Sequence, residues 1–205
     1  QFAMMVVLVR LLTPADYGIY AVVIGIIGFL NAVSFENFIG YTIQVRHDDE
    51  DHFQDHFTAA VAPQGLVFVV TNLVAVALHF VPAYAEVARY IHVLSPIVLL
   101  GCIGGFRVKM LERELDWRRL RVLSAFGLVG STTTALGLAL SGAGVYALLV
   151  SPWFKYLPFI VDLFVIARWR PEWTWSRERY RPAWRFGINR TASTLVSKGR
   201  LLLES

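Results

Sequence analysis

What constrains this chain most is the length of its apolar runs. From Phe57 to Val81, Val87 to Phe106, Val122 to Leu140 and Val145 to Ala167, charged residues nearly vanish. Each run is about 20 residues long, which is what an α-helix needs to cross a hydrocarbon layer of about 30 Å. Two more apolar runs precede them, residues 1–12 and Tyr17 to about Ile43. The expected fold is all-α, a polytopic transmembrane helix bundle of about six spans, with the start of a seventh from Phe186. Composition agrees: 56% of residues are hydrophobic and 17% charged, against roughly 25% charged in soluble domains.

Proline and small residues punctuate the runs. Between the first two, Thr13-Pro14-Ala15-Asp16 reads as a helix start. Thr13 can cap free amides, Pro14 suits the first helical position, and Asp16 completes a Thr-x-x-Asp capping box. Ser141-Gly142-Ala143-Gly144 marks another tight corner, and Pro82 to Glu86 a third. Pro63 is expected to kink or loosen its helix. Rows of small residues, Ala21-Gly25-Gly28-Ala32 in the second span and Gly127, Ser131, Thr134 and Gly137 in the fifth, predict close helix contacts. Arg107 to Arg121, with charges of both signs at helical spacing, predicts an amphipathic helix along the membrane surface.

The net charge of +4 does not point to nucleic acid, because the arginines and lysines lie in loops between apolar blocks. Loops after the second, fourth and sixth spans carry nearly all of them, among them Arg46, Arg107, Arg119, Arg170 and Arg185. The alternate loops are short and offer only Arg10 and Arg89 at their edges. By the positive-inside rule the basic ends face the cytoplasm. Trp117, Trp169, Trp173, Trp175 and Trp184 sit in or beside the basic loops, where amphipathic rings favour a headgroup boundary. A single cysteine, Cys102, rules out an internal disulfide. His52 and His56 stand one turn apart beside Asp48, Asp49 and Asp51, yet lack the closed ligand set of a metal site. The acidic cluster reads instead as a helix start at its positive dipole end.

No phosphate loop, HExxH or GxSxG motif occurs, so function is sought among polar residues inside spans. An ionised group there costs about 3 kcal/mol unless it meets water or a partner. Lys155 and Asp162 are seven apart and share one helix face, with Ser151 a turn before Lys155. They form either a structural pair bridged through another helix or part of a cavity wall. Arg10 lies near the outer end of the first span, where its side chain can snorkel to headgroups. Asn31 and Glu36 sit late in the second span.

Arg10-Leu11-Leu12-Thr13-Pro14-Ala15-Asp16-Tyr17-Gly18 resembles the R-L-L-T-P-x-D-Y-G corner of the bacterial polysaccharide transporters, the O-antigen and exopolysaccharide flippases of the multidrug/oligosaccharidyl-lipid/polysaccharide exporter superfamily. Further matches follow in order: Ile43-Gln44, Leu111-x-Arg113-x-Leu115-x-Trp117-Arg118, Gly142-x-Gly144-Val145-Tyr146-Ala147-Leu148 and Arg185-Phe186-Gly187. Phe35-Glu36-Asn37-Phe38 departs from the family's acidic-then-glycine pattern. The resemblance implies a piece of a longer protein: residues 1–185 as an N-terminal bundle with its first span cut short, and 186–205 opening a second bundle. It further implies a bacterial inner-membrane flippase, not an enzyme, moving a lipid-linked oligosaccharide by alternating access. Arg10 and Lys155 would be cations for a pyrophosphate, with Asn31, Glu36 and Asp162 as polar lining. No cofactor or metal is implied, and coupling to an ion gradient stays open. Partners would be the lipid-linked substrate, the bilayer and other polysaccharide assembly proteins. A drug or lipid II exporter, or a membrane-embedded glycosyltransferase or polymerase, is the alternative.

Overall fold

The computed structural model describes residues 2–30, 53–172 and a few positions between 181 and 193. Among these the regular structure is helical: α1 (Phe2–Leu11), α2 (Pro14–Leu30), α3 (Phe53–His79), α4 (Ala85–Leu94), α5 (Pro96–Arg113), α6 (Trp117–Leu140) and α7 (Tyr146–Val161). A single 3₁₀ turn, Pro82–Tyr84, joins α3 to α4. A π-helical turn, Asp162–Ile166, extends α7. Four stretches are long and apolar enough to cross a bilayer: His56–His79, Pro82–Arg113, Trp117–Leu140 and Tyr146–Ile166. α1 and α2 are shorter apolar helices within the described residues. The chain is a polytopic helical membrane protein.

The capping box forms as the sequence predicts. Thr13 donates from its amide (2.9 Å) and its hydroxyl (2.7 Å) to the Asp16 carboxylate, and the Asp16 amide donates back to Thr13 Oγ1 at 3.3 Å. At the α6–α7 corner Gly142 and Gly144 take φ of +75° and +57°, which L side chains reach only with strain. The two corners meet, since a Cβ on Gly144 would lie 3.1 Å from Asp16 Oδ1. Beneath them Leu8, Leu12, Ala135, Ala139 and Ala147 make one buried cluster. A larger cluster includes Val23, Ile27, Ala75, Ile91, Leu94, Val98 and Leu149, joining α2, α3, α4, α5 and α7.

Close packing rests on small residues, as expected in lipid, where van der Waals contact drives helix association. At Gly127 a Cβ would stand 2.6 Å from the Lys155 carbonyl oxygen, and at Gly104 one would stand 3.1 Å from Tyr156 Cβ. α6 and α5 thus both press against α7. Not every small residue is used: Gly25, Gly28 and Gly137 meet nothing within 4 Å. In place of that small row, α2 buries Val23 and Ile27. Pro63 lies inside an α3 that runs on past it to His79, whereas Pro96 divides the fourth span into α4 and α5.

Arg107–Arg121 does not form the surface helix its charge pattern predicts. α5 continues to Arg113 and α6 starts at Trp117. Leu115 turns the chain between them at φ +56°, and Asp116 caps α6 by accepting the Arg119 amide at 3.0 Å. The segment is therefore the adjoining ends of two spans, with Arg107 and Arg119 drawn onto Asp162 at the end of the bundle. The predicted continuation of the second span beyond Leu30, the acidic loop through His52 and most of the seventh span lie outside the described residues.

Candidate functional site

At the basic end, three spans converge on one carboxylate. Asp162, 1% exposed, opens the π-helical turn, and its carbonyl accepts the Ala167 amide at 2.8 Å. Arg107 Nε, late on α5, donates to Asp162 Oδ2 at 2.7 Å. Arg119, in the first turns of α6, donates from Nε to Oδ1 at 2.8 Å and approaches through a second nitrogen at 2.7 Å. Glu114 stands 3.7 Å from Arg107 on the exposed side. Two arginines and two carboxylates leave this cluster formally neutral, which is what lets Arg107 be 3% exposed.

Beside it lies an aromatic seal. Arg168 takes φ +51° and folds the chain back, so that Trp169 meets Phe57 at 4.9 Å and Phe106 at 5.5 Å between ring centroids. Gln54, near the start of α3, holds the strand of chain beyond. Its side-chain amide donates to the Arg170 carbonyl at 2.8 Å, and its oxygen accepts the Glu172 amide at 2.8 Å.

Within the spans a second polar group joins α3 to α4. Asn72 donates to the Phe68 carbonyl at 2.8 Å and to Ser95 Oγ at 3.1 Å, and its oxygen lies 2.8 Å from His92 Nδ1. Since the Asn72 oxygen can only accept, His92 Nδ1 carries the hydrogen of that bond. Thr71, next along α3, is fully buried and donates to the Val67 carbonyl at 2.7 Å.

Lys155 belongs to neither group. It is exposed on α7, with its ammonium 5.6 Å from the Tyr156 ring centroid. Its helix-face partner in sequence, Asp162, is covered by Arg107 and Arg119, so the structure does not join the two. Arg10 is exposed in the last turn of α1. Asn31 and Glu36 lie outside the described residues. Sequence reading placed Arg107 and Arg119 on the membrane surface and passed over Asn72, although an amide two turns inside the end of a 24-residue apolar stretch is itself a signal.

A family model described as "Polysaccharide biosynthesis protein" matches residues 7–199. The chain belongs to this family. The match takes in the second half of α1 and all the later helices through α7, including the two corners that meet at Asp16 and Gly144. Among curated proteins, the succinoglycan biosynthesis transport protein ExoT of Rhizobium meliloti (strain 1021) is 22% identical over 197 residues. That alignment covers 96% of this chain but 40% of the relative, so the chain spans less than half the length of this member. No solved structure matches.

Proposed function

We propose that this chain is the first bundle of a polysaccharide exporter that carries a lipid-linked oligosaccharide across the bacterial inner membrane, from the cytoplasmic leaflet outward. The observation that carries the reading is the position of Lys155. Nine residues into the Tyr146–Ile166 stretch, it lies about 14 Å from that end at about 1.5 Å per residue, close to the middle of the bilayer, and it is exposed. An ammonium in contact with acyl chains there costs about 3 kcal/mol. The exposed side of α7 therefore suits a hydrated cavity, or a second bundle, better than lipid. The greater length of the relative, 40% of which this chain covers, supports the second bundle, which would begin near Phe186.

In this reading Lys155 pairs with the pyrophosphate as the sugar crosses a wet cavity and the lipid tail stays in the bilayer. Arg10, at the opposite end from the arginine–aspartate cluster, stands at the outer mouth. Asn31 and Glu36, outside the described residues, would add polar lining. Asp162, engaged by two arginines, is assigned to closing the basic, cytoplasmic end. No bond is made or broken, so the chain works as a transporter and not as an enzyme.

The test is complementation with the full-length protein. Lys155→Ala should lower surface polysaccharide by about tenfold or more, the loss expected for a desolvated charge pair, while Lys155→Arg restores part of it. Normal polysaccharide from Lys155→Ala, at wild-type protein level, would remove Lys155 and with it the reading of α7 as a cavity wall.

A further inference from the structure

At the end of the bundle opposite the arginine–aspartate cluster, α3 and α4 enclose an open cavity of about 250 Å³ lined by Val76, His79, Phe80, Arg89 and His92. Three of these five side chains carry basic nitrogen, Arg89 as a permanent donor and each histidine as a donor through both nitrogens only as imidazolium, and none of the described lining residues is acidic. The nearby carboxylate is turned elsewhere: Glu86 accepts the Tyr90 hydroxyl at 2.9 Å. The two sides of the cavity differ in character. Val76 and Phe80 supply an apolar wall, Phe80 being 80% exposed, while Arg89 and His92, one turn apart on α4, supply the polar one.

Snorkelling alone would leave these side chains free to follow the headgroups. His92 is instead fixed from behind, its Nδ1 held by Asn72 at 2.8 Å and Asn72 held by Ser95 at 3.1 Å. That bond settles the ring's orientation and leaves Nε2 for the cavity, the arrangement by which a second partner aims an imidazole. His79 closes the last turn of α3. Val76, His79 and Phe80 lie at the end of the His56–His79 stretch, while Arg89 is about two turns and His92 about three turns into the Pro82–Arg113 stretch. Headgroup phosphates are found at the ends of such stretches, and His79 and Phe80 bring the cavity to one such end, with the acyl region alongside the deeper His92.

We propose that this cavity binds the phosphate of a membrane amphiphile, with the phosphate oxygens on Arg89, on His79 and on the imidazolium form of His92, whose Nε2 then donates, and the first part of the lipid chain against Val76 and Phe80. Arginine suits such a group because its planar fork can meet two phosphate oxygens at once. The apolar wall distinguishes a lipid-borne phosphate from a free one. The site is separate from Lys155 and does not depend on the transport reading.

The experiment uses the full-length protein, purified in detergent and stripped of lipid, with bound ligand counted by native mass spectrometry. Phosphatidylglycerol, undecaprenyl phosphate and inorganic phosphate are titrated separately, so that bilayer lipid, carrier lipid and free anion are told apart. Tight binding of either lipid, weakened about tenfold by Arg89→Gln and also by His92→Gln, is the expected result. Arg121→Gln, at an exposed cation at the other end of the bundle, should leave it unchanged. Equal binding by wild type and Arg89→Gln overturns the proposal. So does an equal loss in Arg121→Gln, which would mean general charge attraction, and so does inorganic phosphate binding as tightly as the lipids. Arg89 is exposed, so Arg89→Gln decides the matter by itself if His92→Gln fails to fold.

Discussion

A single carboxylate organises the basic end of this bundle. Asp162 is reached by Arg107 and Arg119, 55 and 43 positions away in the chain, and burial makes each partner depend on the other. Asp162→Asn keeps the shape but leaves the buried Arg107 guanidinium without its counter-charge. Breaking such a pair from one side costs about 3 kcal/mol or more, so thermal unfolding of the full-length protein should show a clear drop in midpoint. Asp162→Leu combined with Arg107→Met should cost less than Asp162→Asn alone, because replacing both charges by apolar groups removes the uncompensated ion. An unchanged midpoint in Asp162→Asn would mean that Arg107 reaches water. The same residue-scale logic separates Lys155 from Asp162. They share a helix face, yet one is exposed and the other covered, because the ends of α5 and α6 reach over only the second.

The elements are stopped by chemistry that local sequence carries well in some places and poorly in others. Thr13 and Asp16 were readable as a capping box, and their hydrogen bonds form it. Gly142 and Gly144 were readable as a corner, and both adopt positive φ. Leu115 offered no such signal. A bulky residue at φ +56° pays for the left-handed conformation because α5 and α6 must both end there to bring Arg107 and Arg119 onto Asp162. Leu115 is 68% exposed, so its side chain contributes little packing in return. Leu115→Gly should therefore stabilise the protein by about 1 kcal/mol, read as a higher unfolding midpoint in the full-length protein. A lower midpoint would show that the Leu115 side chain packs against something that outweighs the strain.

Across the whole molecule the helix ends sort into two sets. The α1–α2 and α6–α7 corners touch through Asp16 and Gly144, whereas the α5–α6 turn, Asp162 and the chain through Glu172 gather at the arginine cluster. If the basic end faces the cytoplasm, reporters placed after Leu115 and after Pro171 should both report the cytoplasm, and those at Ala83 and Gly142 the opposite side. Reporters at Leu115 and Pro171 giving opposite sides would break the antiparallel arrangement itself. The same two-ended layout places the proposed phosphate cavity and the arginine–aspartate cluster at opposite ends of the bundle, so the two can be altered independently.

The sequence alone determined that the chain folds as membrane-crossing helices, where most of them turn, and that their basic ends gather on one side. Those properties follow from run length, capping residues and the placement of charge, all of which act over a few turns of helix. Only the tertiary structure decided that Arg107 and Arg119 are ion partners of Asp162, that Lys155 is left open, and that Asn72 holds His92 toward a cavity. Periodicity fixes the direction in which a side chain leaves its own helix, but what it meets there is set by the packing of helices distant in the chain.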